Sequence, residues 1–306
     1  MNPTISATAV KLGAREAIDI KSELLFNIRI LLRSKGFAEV ITPTFRQADD
    51  LTGKRASATV GGRDGWLRSM IGPALRYQLA HAANVFEIGA CFRHDPADAT
   101  HRSEFTMLDL YAAESDFDTL NELAENLIQL AYPGPTRRIS VAEHLGATLR
   151  IDLTFDTLEP HIGALAHHLG RPADTPLRDL LDTYIAVELE PQSIGAATFL
   201  VDMPLGGNEP CAKLREGTAA ILNRFEVFID GIEVVHGYED ETDAEAFIAR
   251  AGAIGLYNHE QALVQKAILG GAVPARSVGL GIGIERLCMA ATGARDIALF
   301  QQSACF

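Results

Sequence analysis

Cysteine is scarce. Four residues of 306 (Cys91, Cys211, Cys288, Cys305) show neither C-x-x-C spacing nor a pairing pattern. A disulfide framework is therefore excluded, and the thiols read as the reduced cysteines of a cytosolic protein. Positive charge is also short, with 27 Lys and Arg against 40 Asp and Glu and a net charge of −13. A broad phosphate-binding face normally needs clustered Lys and Arg, so only a local basic patch remains open. No apolar run approaches the roughly eighteen residues of a membrane span, and nothing resembles a signal peptide. Internal repeats and low-complexity tracts are absent as well. What is present is a chain 47% hydrophobic, enough for one large domain or two small ones.

The most informative stretch runs from Val85 to Glu114, VFEIGACFRHDPADATHRSEFTMLDLYAAE. Val85 to Phe92 is apolar and β-favouring, and Glu104 to Ala112 alternates with period two. The loop between them carries Arg93, His94, Asp95, Asp98, His101 and Arg102, dense in charge for so short a connection. On the second strand Phe105, Met107, Asp109 and Tyr111 share one face, with Thr106, Leu108 and Leu110 on the other. A carboxylate set between aromatics suggests a lined pocket rather than a solvated surface.

A second informative stretch is RFEVFI-DG-IEVVHGY, Arg224 to Tyr238. Asp230-Gly231 is a favoured two-residue hairpin turn, which puts Phe228 opposite Glu233 and makes Glu226 and Glu233 diagonal neighbours on one face. No Lys or Arg interrupts Phe225 to Glu241. Two carboxylates so placed repel unless a cation lies between them, and magnesium suits that donor set. His236, Tyr238 and Asp240 have the opposite parity from Glu233, so they reach the same site only if the strand bulges or twists near Gly237.

Elsewhere the reading is coarser. Residues 1–12 read as a loose arm. Ile20, Leu24, Ile28 and Leu31 mark a helix from Ala14 to Lys35, stopped by Gly36. Phe37 to Pro43 reads as a short strand, Asp49 to Asp64 as a surface loop, and Pro73 opens a helix within Trp66 to Ala83. Phe117 to Ala131 is amphipathic, with Asp116 or Asp118 as its cap. Residues 137–191 read as a short strand with helices around Leu158 to Leu169 and Leu177 to Val187. Their histidines His161, His167 and His168 lack Cys or acidic partners at zinc spacing. Phe199 to Met203 reads as a strand. Thr242 to Glu245 is a capping box opening a helix to about Ala253. A further helix is expected over roughly Asn258 to Leu269, ended by Gly270-Gly271. A strand from Val278 to Ile282 then leads into a helix from Gly283 to Ala291 carrying Arg286.

The string FRHD, a short loop with a histidine and then EFTMLDLY resembles the second signature motif of class II aminoacyl-tRNA synthetases, in the lysyl branch. GLGIGIERL, Gly279 to Leu287, resembles their third motif, and the helix followed by G-F-x-E-V-x-T-P resembles the first. The resemblance spans most of the chain. It implies an α+β catalytic core, an antiparallel sheet flanked by helices, with the first motif building a homodimer interface. It also implies ATP and magnesium. Arg93 would contact the α-phosphate and carboxylate and Arg286 the γ-phosphate. Phe105 would stack on adenine, and His101, Glu104 and Gly283 would line the nucleotide. Glu226 and Glu233 would hold magnesium.

The amino-acid pocket implied by the same resemblance comprises Ala74, Asp109, Tyr111, His236, Tyr238, Asp240 and Gly281. It departs from the lysyl pattern. Ala74 stands where a glutamate meets the α-ammonium, aspartates 109 and 240 stand for glutamates, His236 stands for an Asn, and Tyr238 for a Phe. A wider acidic pocket follows, for a cationic or polar amino acid other than ordinary L-lysine.

Residues before Ala14 are too few for an anticodon-binding domain. The resemblance is therefore to stand-alone lysyl paralogues, among them the ligase that attaches β-lysine to elongation factor P. The leading expectation is an adenylate-forming ligase, cytoplasmic and homodimeric, with a protein, carrier or small molecule as acyl acceptor. The alternatives are the elongation-factor ligase itself, a minimal lysyl-tRNA synthetase, or an inactive amino-acid sensor.

Overall fold

The structure is a computed structural model. It describes residues 12–46, 56–94, 96–207, 211–253, 262, 265, 266, 268–271, 274 and 276–301. Residues 1–11 of the expected arm, Asp95, Cys305 and most of the helix expected over 258–269 lie outside the described residues.

Helix α1 (Ala14–Ser34) buries Ala17, Leu24, Ile28 and Leu32 along one stripe, and Gly36 beyond it takes φ 82°. Of the strand expected at 37–43 only β1 (Ala38–Glu39) pairs, parallel to β5 (Asn84–Phe92). The expected loop over 49–64 is in part a hairpin. β3 (Ala56–Val60) and β4 (Arg63–Leu67) pair across Gly61 and Gly62, both at positive φ, and β2 (Phe45–Arg46) joins β4. The strands ASATV and RDGWL carry few large apolar residues and show no hydrophobic alternation, which is why the sequence reads as loop. Helix α2 (Gly72–Gln78) follows, with Pro73 in its first turn.

β5 pairs antiparallel with β6 (Glu104–Ala113), Val85 opposite Tyr111 and Cys91 opposite Phe105. Helix α3 (Phe117–Gln129) is capped by Asp116, whose side chain accepts from Thr119 N. The next region holds β7 (Thr136–Ser140), α4 (Val141–Leu149), α5 (Ile162–His168) and α6 (Leu177–Tyr184), the last running on through a π-helical turn to Leu189. The sequence reading missed α4, which Ser140 caps through Glu143 N. β8 (Ala197–Val201) and the short pair β9 (Met203–Pro204) and β10 (Ile221–Leu222) lead to the hairpin of β11 (Arg224–Ile229) and β12 (Ile232–Glu239).

Helix α7 (Ala244–Ala253) is capped by Asp243 rather than Thr242, since Asp243 Oδ1 accepts from Glu245 N and Ala246 N at 2.9 and 3.2 Å. β13 (Ser277–Gly283) then enters the helix Ile284–Thr292, which ends at Gly293 in the left-handed region.

Eight strands form the main sheet in the order β1-β5-β6-β13-β12-β11-β8-β7. Its interior pairs are antiparallel, and both edges, β1 with β5 and β7 with β8, are parallel. One face carries the main core: Leu108, Leu110, Phe225, Val227, Val278, Leu280 and Ile282 meet α1, α3 and the helix Ile284–Thr292. A second apolar cluster, including Leu145, Leu165, Leu181, Tyr184 and Phe228, sits under the helices of residues 141–189. The other face of the central strands is polar, and there the expected site residues lie.

Candidate active site

Register decides which side chains meet. Asp109 pairs with Gly281 and Gly281 with His236, and His236 in turn lies opposite Glu226. One step along, Tyr111, Gly279, Tyr238 and Arg224 make a parallel row. The parity conflict is resolved by a bulge, located three residues before Gly237. Val227 pairs with Val235 and Phe228 with Glu233, so Val234 is the extra residue and Glu233, His236 and Tyr238 come to one face. Gly237 has another task. A Cβ there would lie 2.5 Å from the Phe225 ring.

Eight of the expected residues line one cleft: Arg93, His101, Phe105, Glu233, His236, Gly281, Gly283 and Arg286. It encloses about 590 Å³ of empty space, part of it open to solvent. The loop between β5 and β6 is shaped by Asp98, which accepts from Thr100 N at 2.7 Å and His101 N at 2.8 Å. These bonds, the Thr100 amide foremost and the His101 side chain next, hold its carboxyl down at about 2. His101 Nδ1 is 3.0 Å from both Asp98 oxygens, and its Nε2 is 2.8 Å from Arg286 Nη2. Arginine only donates, so Nε2 accepts and Nδ1 carries the proton.

Arg286 also donates to Thr100 O at 3.3 Å and to Glu233 O at 3.1 Å, and its Nη1 is 3.6 Å from Glu233 Oε2. Arg93 donates to Ser69 O at 3.2 Å, and its guanidinium lies 5.2 Å from the centre of the Phe105 ring. Glu104 is exposed and outside the cleft lining.

The carboxylate pair is not without protein cations. Arg224, one residue before the cation-free stretch, meets Glu226 Oε1, and Arg286 meets Glu233. Burial pushes the Glu226 carboxyl above its usual range, opposed by Arg224 and reinforced by Glu233. Glu190, which no sequence signal singled out, is raised by burial and then by Glu233 and Glu226. Two carboxylates completed by phosphate oxygens are an ordinary magnesium donor set, and Glu226 and Glu233 fit it. Among the described residues no cluster of three or more His, Cys, Asp and Glu side chains stands ready to hold a metal.

The acids of the expected amino-acid pocket are already engaged. Asp109 Oδ2 accepts from Ile71 N at 3.0 Å and Gly72 N at 3.1 Å, tying β6 to the start of α2. Burial nevertheless raises its carboxyl to about 6. Asp240 accepts from Ser277 Oγ at 2.5 Å and faces the buried Arg76, Nε to Oδ1 3.3 Å. The sequence reading missed Arg76, because its partner lies far along the chain. Both acids expected in the amino-acid pocket thus have partners within the protein. Tyr111 and Tyr238 bond hydroxyl to hydroxyl at 2.6 Å. Burial and then Arg224 push His236 down to about 4, with Glu226 opposing, so it is neutral at neutral pH. Ala74 is half-buried in the first turn of α2.

A large, mainly antiparallel sheet flanked by helices, with this cleft on the face opposite the main core, is the arrangement of a class II synthetase-like α+β core. The family model described as tRNA synthetases class II (D, K and N) matches residues 6–302, and the chain belongs to that family. It is 29% identical to the lysine–tRNA ligase of Saccharolobus solfataricus over 92% of this chain and 62% of the relative. It is 28% identical to that of Kineococcus radiotolerans, over 93% and 63%, and 30% identical to that of Deinococcus radiodurans, over 94% and 61%. The chain thus spans less than two thirds of the length of these curated relatives.

Proposed function

We propose that the protein is an ATP-dependent ligase that activates an amino acid as its aminoacyl-adenylate. The observation that carries this reading is the convergence of Arg93, Arg286 and Glu233 on one cleft floored by the glycines of β13. In the reaction a carboxylate oxygen attacks the α-phosphate in line and pyrophosphate leaves. Little proton transfer is needed, so catalysis is positioning and charge neutralisation. Arg93 neutralises the α-phosphate and the attacking carboxylate, and the free face of Phe105 receives adenine. Arg286, oriented by two carbonyls and His101, binds the terminal phosphate. Glu226 and Glu233 would hold magnesium, which when bound polarises the phosphates and orients the leaving group. His236 remains a neutral partner, and His101 orients Arg286 through Nε2.

The acceptor is proposed as a protein, carrier or small molecule rather than tRNA. What supports this is charge: a net −13 leaves little for the phosphate contacts that dominate nucleic-acid affinity. A single catalytic domain with residues 137–191 as a helical insertion is likewise our reading, supported by β7 and β8 continuing the main sheet. Pyrophosphate exchange screened across amino acids tests the activation step, and label transfer to bulk tRNA against the protein fraction tests the acceptor. ATP binding without exchange for any amino acid would favour an amino-acid sensor instead.

A further inference from the structure

The apolar stripe that seats α1 on the sheet is interrupted by a lysine. Ala17, Leu24, Ile28 and Leu32 are buried, and Lys21, four positions after Ala17 and three before Leu24, lies on the same face. Its ammonium reaches Glu285 Oε1 at 2.8 Å, Phe300 O at 3.1 Å and Thr106 Oγ1 at 3.5 Å. A lysine turned toward a core needs its charge met there. The carboxylate that meets it is 2% exposed.

Glu285 takes the place of a strand at the end of a ladder. β13 and β6 pair as far as Gly283 opposite Met107, where the chain turns into the helix Ile284–Thr292. The next amide along β6, that of Thr106, has no strand left to face, and Glu285 Oε2 accepts from it at 3.0 Å. Glu285 Oε1 accepts from Thr106 Oγ1 at 2.7 Å. On the other side of Phe105, Glu104 O accepts from Gln301 Nε2 at 2.5 Å. Gln301 belongs to the short helix Ala298–Gln301, whose Phe300 carbonyl is the one Lys21 bonds. Phe105 is thus pinned through both of its neighbours, and Arg286 follows Glu285 directly in the first turn of its helix. Lys21 stands at the junction of these contacts and lines no part of the cleft.

Resting on the ligase reading, we infer that Lys21 is a positioning residue for ATP. Through Glu285 it holds Phe105 and Arg286 at the spacing that spans the nucleotide from its base to its terminal phosphate. Without the ammonium, the Glu285 carboxylate is left buried and without its cation, and it relaxes by drawing away from Thr106 or toward solvent. Either movement shifts the aromatic platform relative to the arginine one position along, and a displacement of that kind costs affinity for a ligand that must touch both. The amino-acid end of the site, at His236 and Gly281 on the neighbouring strands, shares none of the hydrogen bonds of Lys21 and Glu285.

The test uses the full chain and two readouts, equilibrium dialysis of ATP with magnesium and pyrophosphate exchange with an amino acid that supports it. Lys21→Met should weaken ATP binding by roughly tenfold or more and raise the KM for ATP to match, with the KM for the amino acid changed by less than about threefold. Lys21→Arg restores the cation and should return ATP binding to within about threefold of the unmodified protein. Thr106→Val removes one contact of Glu285 at nearly constant volume. It should weaken ATP binding by about threefold or more, and it serves if Lys21→Met does not fold. Leu24→Ala, on the same stripe of α1, is the control for simple destabilisation, lowering the melting temperature while leaving ATP binding within about twofold. Unchanged ATP binding in Lys21→Met, or in Thr106→Val where that variant stands in, overturns the inference. So do an equal loss for ATP and amino acid, no recovery in Lys21→Arg, an equal ATP loss in Leu24→Ala, and no ATP bound by the unmodified protein. ATP binding in the expected order without exchange from any of these proteins leaves the positioning role standing and defeats the ligase reading.

Discussion

A guanidinium serves a phosphate only if it is held in place without being fully neutralised. Arg93 is held by a carbonyl and an aromatic face, and Arg286 by two carbonyls, an imidazole and a carboxylate at 3.6 Å. Arg76 differs, because its carboxylate partner is buried with it. Burial raises the Asp240 carboxyl from 3.8 to about 6, against the pull of Arg76 and Ser277 and helped by Glu239 and Glu241 on either side. Tyr111, Tyr238 and Cys211 complete the charged and titratable groups around Arg76. A carboxyl raised on folding favours the folded state below its unfolded value, and that contribution is lost as pH rises through the folded one. The stability of the unmodified protein minus that of Asp240→Asn should therefore fall by on the order of 1–3 kcal/mol between pH 4 and pH 6. The subtraction removes the opposite trend of His236, whose lowered value makes it stabilising above pH 6.5 and less so toward pH 4. Denaturant titrations of both proteins across this range measure the difference, and a flat one contradicts the assignment.

Among the elements, the edge of the sheet under α2 hangs on one buried ion pair. Arg68 Nη1 meets Glu87 Oε1 at 2.5 Å, and Glu87 Oε2 accepts from Thr42 N and Oγ1 at 2.9 and 2.8 Å. Glu87→Gln strands the Arg68 charge, so a loss of about 3–5 kcal/mol is expected. Adding Arg68→Met should return part of it. Urea unfolding of the three variants checks this, and a loss below about 1 kcal/mol for Glu87→Gln would refute the account of this edge. The same segment shows what sequence conveys and what it does not. The β5–β6 pair and the Asp230-Gly231 hairpin were legible because alternation and turn chemistry fix register locally. The Val234 bulge was required by the parity of Glu233 and His236, but its position was not, since a bulge is set by packing on both faces. Arg224 was overlooked by one position. Arg76 was unreadable, because its partner Asp240 is brought beside it only by folding, as is the Glu241 carbonyl it bonds 165 positions away.

For the whole molecule, α1 buries one stripe and leaves Phe26 and Ile30 exposed on the other, with Ile41 93% exposed nearby in sequence. An apolar surface of that kind suits a second copy of the chain, and a homodimer is expected in sedimentation at micromolar concentration. Phe26→Glu should shift it to monomer, whereas an unmodified protein that sediments as a monomer removes the dimer from the account. No helix among the described residues is long and apolar enough to cross a membrane. The central claim is adenylate formation in the cleft of Arg93 and Arg286, and amino-acid-dependent ATP–pyrophosphate exchange tests it most directly. The unmodified protein should catalyse exchange, and Arg93→Ala and Arg286→Ala should each slow it by roughly 10²–10³. Exchange that persists at full rate in both variants, or that no amino acid elicits from the unmodified protein, would contradict it.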